Sequence, residues 1–452
     1  MTDFTPHDYQ ARGIRLLTGN SGGAGLLLDP GMGKTIICLQ AFEILRMAGH
    51  ASKMLIIVPL KPMYGTWRQE AEKWGLGHLT FSIVHGKDKE ARLNEDADVH
   101  LINPEGVQWL CDRKPLWPKW DVLVVDESTK FKSSNSKRFK AMKKSLPSFS
   151  YRWILTGTFT PNGLMDLFSQ VYIMDNGEAL GKYITHFRNR YFFQSGFGGY
   201  SYTPFEGAPD IIAEKIAPMT LRLLAEDYLN MPEFNKIIRP VELPEEAMKK
   251  YREVEKEFIT ALQSGTIVAA NAAAAGTKCR QMANGAVYDD TRQVHELHTA
   301  KMQALDEIVE ETSGHPLLII YEFAHDRERI MAELGKGAVC TTGLTGRTFE
   351  QVQDDFNLGL IPYLVVHSGN THGLNIQGNC FHMVWFGITW NLESYVQTVW
   401  RLYRQGQASK MVLCYMLVAT GTLDEKVVLA LDHKQAEQSA LDLLLMNHEV
   451  VQ

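Results

Sequence analysis

Short, mostly apolar runs alternate along this chain with stretches whose apolar positions recur every three or four residues. In the first third the runs are Leu26–Leu28, Met54–Val58, Val99–Ile102, Val122–Val125 and Trp153–Leu155, each bounded by Gly, Pro or polar residues. Runs without a polar face predict strands buried on both sides. Between the first two, Lys34–Met47 carries Ile37, Ala41, Ile44 and Leu45 at helical spacing, and Gly49 lies where a helix would stop. Strands alternating with such helices predict a parallel, doubly wound α/β sheet.

The last third repeats the theme with Leu317–Tyr321, Tyr363–His367, Met383–Trp385 and Val412–Leu417 as strands. Two α/β lobes in tandem are therefore expected, over 1–165 and 301–452. From about Leu164 to Lys301 the alternation fades. This stretch holds an aromatic-basic patch (His186–Phe193), a Gly-rich turn (196–199), a helical pattern over Glu245–Leu262, and an Ala-rich run (Ala269–Ala275) that fits either a helix or a loose connector. It is expected to be mostly helical. No internal repeat of short fixed period is present.

A length of 452 residues exceeds what one hydrophobic core usually supports, in keeping with several units. Nothing at Met1–Gln10 resembles a signal peptide, and no stretch approaches the roughly 20 apolar residues of a membrane span. Cys38, Cys111, Cys279, Cys340, Cys380 and Cys414 are scattered with no CxxC pair, a pattern of reduced thiols rather than a disulfide frame or zinc site. A cytoplasmic protein with no membrane contact is expected. The net charge of −6 argues mildly against a nucleic-acid partner, but the total says nothing of local charge. From Lys130 to Lys144 there are seven basic residues (Lys130, Lys132, Lys137, Arg138, Lys140, Lys143, Lys144) and no acid. Taken alone, such a run is a solvated helix face.

Asp29-Pro30-Gly31-Met32-Gly33-Lys34-Thr35 follows an apolar strand and opens a helix. Glycines there let backbone N–H groups close around phosphates, and the helix N-terminus adds a favourable dipole. In such a loop Lys34 reaches the β- and γ-phosphates and the Thr35 hydroxyl ligates Mg²⁺. Leu28 stands where the general pattern has glycine. A second strand ends in Asp126-Glu127, suited to hold the Mg²⁺ shell with Asp126 and to orient and deprotonate a water with Glu127. Together the two motifs predict hydrolysis of a nucleoside triphosphate.

The remaining motifs resemble those of Swi/Snf-type superfamily 2 helicases and translocases, in the compact form found in bacteria and their viruses. Pro6-His7-Asp8-Tyr9-Gln10 is similar to the family's adenine motif, which implies that Gln10 reads the adenine edge with Tyr9 packing nearby. Ile56–Leu60 with Trp67-Arg68-Gln69-Glu70 and Trp74 resembles the family's second motif. Leu155-Thr156-Gly157-Thr158-Phe159-Thr160-Pro161-Asn162 resembles its Thr-Gly-Thr motif, which couples nucleotide state to track binding. Leu318–Tyr321 resembles the fourth motif, and His367-Ser368-Gly369-Asn370 with Gly373-Leu374-Asn375 the fifth. Gln397-Thr398-Val399-Trp400-Arg401-Leu402-Tyr403-Arg404-Gln405-Gly406-Gln407 resembles the sixth. The motifs run in family order from Pro6 to Gln407.

The resemblance implies two RecA-like lobes, ATP and Mg²⁺ as cofactors, duplex DNA as the track, and one chain as a complete motor. Arg404, with Arg401, would cross from the second lobe and neutralise charge developing on the γ-phosphate, so that hydrolysis requires lobe closure. Gln397 would take part in coupling and Gly373 in binding ATP. Ser368 and Asn370, with Lys130, Lys132, Lys137, Arg138 and Lys140, would contact DNA phosphates. Relatives usually carry Ala or Gly and then His after the acid pair. Here Ser128-Thr129 stands there, a departure that bears on coupling rather than on hydrolysis. Thr389 stands before Trp390-Asn391 where relatives often have an acid. Two other readings remain open: a strand-separating or annealing helicase, and a nucleotide-gated DNA-binding module that barely hydrolyses ATP. A small-molecule kinase would have no use for the Gln397–Gln407 signature.

Overall fold

The computed structural model describes residues 4–113, 119–195, 201–264, 269–312, 314–371 and 373–449. The Gly-rich turn at 196–199 lies outside the described residues. The chain divides into two compact units, Met1–Tyr228 with Gln435–Gln452, and Leu229–Lys434.

The first unit contains β1 (Gly22–Leu28), β2 (Met54–Ile57), β3 (Phe81–Ile83), β4 (Val99–Ile102), β5 (Val122–Asp126), β6 (Tyr151–Thr156), the hairpin strands β7 (Phe192–Ser195) and β8 (Ser201–Pro204), and β9 (Thr220–Leu223). Seven of these form one sheet in the order β3-β4-β2-β5-β6-β1-β9, with every neighbour parallel. β2, β4 and β6 are buried along their whole length, which is why apolar residues fill most of their positions, with His100, Arg152 and Thr156 buried among them. β1 starts four residues before its apolar run, at Gly22-Gly23-Ala24-Gly25. The glycines answer to a neighbour: a Cβ on Gly23 would stand 2.1 Å from the carbonyl oxygen of Met174. That carbonyl belongs to the helix Leu167–Asp175, buried on all sides from Leu167 to Met174. A helix without a polar face shows no period, so the alternation fades at this point in the sequence.

The second unit contains β10 (Glu233–Val241), the hairpin strands β11 (Ala286–Tyr288) and β12 (Val294–Glu296), then β13 (Leu317–Tyr321), β14 (Ala338–Cys340), β15 (Tyr363–His367), β16 (His382–Trp385) and β17 (Met411–Ala419). Its sheet is β10-β17-β16-β13-β15-β14, again parallel throughout. The stretch where alternation fades thus supplies an edge strand to each sheet. Neither announces itself: β9 is Thr-Leu-Arg-Leu, and β10 is half-exposed with a proline at position 240. The Ala-rich run is helical, within Ala269–Asn284. The last helix, Leu423–Glu449, starts in the second unit, and its residues from Gln435 onward belong to the first. No helix among the described residues is long and apolar enough to cross a membrane.

Candidate functional site

Three adjacent strands, β5, β6 and β1, present the nucleotide motifs together at their carboxyl ends. Thr156 pairs with Leu27 and Asp126 with Leu155, so the acid pair, the Thr-Gly-Thr loop and the phosphate loop all leave the sheet at one level. Parallel α/β sheets bind their ligands beyond this edge.

The phosphate loop turns on Gly31 at φ 88° and Gly33 at φ 78°, left-handed values that side chains rarely adopt. Lys34 and Thr35 begin the helix Lys34–Met47, whose first N–H groups face the loop. Lys34 Nζ donates to the carbonyls of Leu28 at 2.6 Å and Asp29 at 3.2 Å. Met32 is fully buried and anchors the loop in the core. Gln10 lies against this loop, for a Cβ on Gly33 would come within 2.7 Å of Gln10 Nε2. The Gln10 side-chain carbonyl accepts from the His7 N–H at 3.0 Å, which fixes the amide's orientation. Tyr9 is buried, with its ring centre 5.2 Å from that of Tyr228.

Burial lowers the Lys34 pKa from its usual range, opposed by the charges of Glu127, Asp126 and Asp29. Burial raises the Asp126 pKa, opposed chiefly by Lys34. The lysine and acid pair therefore sit in one desolvated cluster. Glu127 takes φ 54°, ψ 60°, a left-handed conformation costing on the order of 1–3 kcal/mol in a non-glycine residue. Thr35 and Asp126 offer the hard oxygens that Mg²⁺ takes, and no group of three or more His, Cys, Asp or Glu that could hold a metal occurs among the described residues. Mg²⁺ held by one or two protein oxygens and otherwise by phosphates and waters fits such a donor set.

The Thr-Gly-Thr loop packs directly on the phosphate loop: a Cβ on Gly157 would be 3.2 Å from Pro30 Cδ and 3.4 Å from the Leu28 carbonyl. Its turn is self-braced, with Thr156 Oγ1 donating to the Thr158 carbonyl at 2.9 Å and accepting from the Thr158 N–H at 3.1 Å. Ser128, the residue that departs from the family pattern, is fully buried and donates to Gln170 Oε1 at 2.6 Å. Gln170 Nε2 in turn donates to the carbonyls of Phe159 at 2.8 Å and Asp166 at 2.9 Å. The acid motif is thereby tied to the Thr-Gly-Thr loop through one glutamine that no motif marks.

In the second unit, Arg401 Nε donates to the Gln397 carbonyl at 3.0 Å and Nη1 to the Leu374 carbonyl at 3.3 Å. Arg404 is half-buried on the following turn, and desolvation lowers its pKa. Gln397 is buried and donates weakly to Glu393 at 3.5 Å. Ser368 is buried with its hydroxyl given to Glu322 at 2.7 Å, and Glu322 pairs with Arg280 at 3.1 Å. Asn370 and Gly373 are exposed, the glycine at φ 77°.

The basic run splits by environment. Lys130 lies in the tight turn Ser128–Phe131 and Lys132 just after it, both half-buried. Lys137, Arg138 and Lys140 lie on the helix Lys137–Lys143, capped by Ser136, with Phe139 and Met142 turned inward. Lys137 and Lys140 are exposed, while Arg138 pairs with Glu105 at 3.5 Å. In the aromatic-basic patch Phe187, Tyr191 and Phe192 are buried and Arg190 is exposed, an amphipathic helix end.

Comparison with known proteins places this geometry in a family. The model of the SNF2-related domain matches residues 9–286, and that of the helicase conserved C-terminal domain matches 300–406. The chain belongs to the SNF2 family, and is an ATP-hydrolysing enzyme of helicase superfamily 2 with two RecA-like lobes. Protein p41 of Acyrthosiphon pisum secondary endosymbiont phage 1 is 37% identical over 98% of this chain and 99% of its own length. A Bacillus subtilis (strain 168) protein named for an ATP-dependent helicase/translocase, YwqA, is 24% identical over 95% of this chain, which spans 48% of it. The chromodomain-helicase-DNA-binding protein 3 homolog of Caenorhabditis elegans is 24% identical, and the match covers 26% of that protein. The solved Sulfolobus solfataricus SWI2/SNF2 ATPase core in complex with dsDNA aligns over 98% of this chain and 95% of its own, with 21% identity and a TM-score of 0.45.

Proposed function

We propose that this chain is a DNA-stimulated ATPase that tracks along duplex DNA and remodels DNA or protein–DNA complexes. The observation that carries the reading is the assembly of Lys34, Asp126, Glu127 and the Thr156–Thr158 turn at the carboxyl ends of three adjacent strands. In this reading Pro30, Gly31, Met32, Gly33, Lys34 and Thr35 hold the triphosphate, with Gln10 and Tyr9 at the adenine and Gly373 from the second lobe. Thr35 and Asp126 would hold Mg²⁺, whose charge would offset that of the phosphates. Glu127 takes the proton of the attacking water, and Arg404 with Arg401 stabilises the charge that develops on the γ-phosphate. Thr156, Gly157, Thr158 and Gln397 relay nucleotide state. Lys130, Lys132, Lys137, Arg138, Lys140, Ser368 and Asn370 line the track.

Steady-state ATP hydrolysis without nucleic acid, and with single-stranded DNA, duplex DNA or RNA, tests this directly, with Glu127→Gln as control. Strong stimulation by duplex DNA, lost in the variant, is expected. Stimulation by single strands or RNA alone would replace the reading with an unwinding helicase. Absence of hydrolysis with every nucleic acid would leave a nucleotide-gated binding module.

A further inference from the structure

A chain of buried side chains links the phosphate loop to the Thr-Gly-Thr loop, passing through the C-terminal end of the protein. Asp29 opens the phosphate loop, and its carboxylate accepts from Arg222 Nη1 at 2.8 Å and from the Ala225 N–H at 2.9 Å. Arg222, on β9, also gives Nη1 to the Leu27 carbonyl at 2.9 Å and Nη2 to Asp442 Oδ2 at 2.9 Å. The other Asp442 oxygen accepts from Gln438 Nε2 at 2.7 Å. Gln438 Oε1 accepts from the N–H of Thr160 at 2.6 Å and from its hydroxyl at 2.7 Å. Asp29, Arg222, Asp442, Gln438 and Thr160 are each no more than 8% exposed.

We propose that Gln438 and Asp442 are positioning residues of the nucleotide site, holding the phosphate loop and the Thr-Gly-Thr loop in register through Arg222. The proposal rests on the ATPase reading given above. Both residues lie beyond the segments that the two family models match, which end at residue 406. Three features favour positioning over mere docking of a helix. The bridge ends on the two loops that flank the nucleotide motifs, and at one end it holds Asp29, whose carbonyl receives the Lys34 ammonium. Each link has one permitted sense: Gln438 must accept from Thr160 and donate to Asp442, so the amide cannot flip without losing both. Docking is separately provided for, since Leu441 and Leu445 of the same helix sit in the apolar core of the first unit. Two carboxylates share a single buried guanidinium, and releasing either would strand a charge in the interior.

The test uses the full chain in four forms: wild type, Asp442→Asn, Gln438→Glu, and the two combined. Asp442→Asn sets an amide against an amide, and Gln438→Glu a carboxylate against a carboxylate. The combination restores the link with its sense reversed: the new carboxylate at 438 accepts from both Thr160 and the new amide at 442, whose oxygen still faces Arg222. Each single variant should lower kcat for ATP by about tenfold to a hundredfold, the scale of a displacement near 1 Å at a reacting group, and weaken binding of a fluorescent ADP analogue with Mg²⁺. The combination should recover most of both. Measurements are made well below the melting temperature of every form. Single variants that melt earlier yet keep wild-type kcat and ADP affinity would overturn the proposal, leaving a helix anchor; so would a folded double variant without recovery. Should the single variants fail to fold, Thr160→Val, which deletes only the hydroxyl at the far end, is judged by the same two readouts. ADP binding without DNA decides the bridge even if DNA fails to stimulate hydrolysis, so the two readings fail separately.

Discussion

The first lobe holds its chemical groups at strand ends, whereas the second holds its own on a turn. Asp126 and Thr156 end two adjacent parallel strands and Lys34 opens the helix that follows the loop after the third, in a cluster desolvated enough to move the pKa values of both the lysine and the aspartate. Arg401 and Arg404 follow the helix Leu392–Val399, half-exposed, and Arg401 gives Nε and Nη1 to two backbone carbonyls. Groups on strand ends are set in place by the whole sheet. Under the proposed function, the first lobe is built to keep its geometry, and the second offers its arginines from a turn rather than from strand ends.

That contrast is most exposed at Arg404. Arg404→Ala should lower DNA-stimulated hydrolysis by about 10³–10⁵, the range for such a finger, while a fluorescent ADP analogue still binds. Arg404→Lys should not recover it, since an ammonium lacks the planar fork. Loss of ADP binding together with turnover would place the arginine in ground-state binding and remove the contrast between the lobes.

Within the first lobe, Gln170 puts the rigidity to a finer test. Gln170→Leu leaves the Ser128 hydroxyl and the Phe159 carbonyl unpaired in the interior, at a cost of about 1–3 kcal/mol for each buried group stranded. Ser128→Ala removes one donor only and should cost less in a denaturant titration. Equal costs for the two would mean that the loop is held by its own Thr156–Thr158 turn.

Acid should act on activity and stability in opposite directions. Burial raises the Asp126 carboxyl above the ordinary range near 3.9, so the ionised form needed for Mg²⁺ is lost at a higher pH than usual. The acid limb of ATPase activity is expected above that range, falling about tenfold per pH unit, and rising Mg²⁺ should move it down. Stability carries the reverse sign: the folded state binds this proton more tightly than the unfolded state does. Stability from this group therefore increases as pH falls from the raised value toward the ordinary one. Asp126→Asn should remove that increment from the pH dependence of the denaturant midpoint; an unchanged profile would deny the raised pKa.

The parts of the molecule that could be read from sequence are those where one physical cause dominates. Val99–Ile102, Leu317–Tyr321 and Tyr363–His367 match their strands end to end because strands of a parallel sheet are buried on both faces. Lys34–Met47 matches as a helix because the loop glycines and Gly49 bracket it. What stayed hidden depends on distant partners. The start of β1 carries no apolar signal because Met174 leaves no room for side chains. Gln170 and Arg222 sit in segments that otherwise read mainly as packing, and Gln438 and Asp442 are two among many polar residues of a long helix. Arg222 meets Asp29 across 193 positions and Asp442 across 220, and no local period reports such pairings.

The smallest expected effects lie on the surface of the first lobe, where the rigid core stops governing side chains. Neutralising an exposed lysine that contacts a phosphate should flatten the plot of log affinity against log salt by about 0.9 on duplex DNA. Lys137→Gln and Lys140→Gln should each do so, since both side chains are exposed. Arg138 is held by Glu105, so Arg138→Gln should flatten the slope by less, an exposed pair of this kind being worth little but still competing for the guanidinium. Lys143 gives its ammonium to the Lys182 carbonyl at 2.9 Å and lies over the rings of Tyr172 and Tyr183. Lys143→Gln should therefore leave the slope as it was and lower stability instead. The four variants distinguish a track from a diffuse positive field, because a field would weigh all of them alike. Equal slopes across the set would reduce the run to a solvated helix face and leave the DNA-binding residues of this lobe elsewhere.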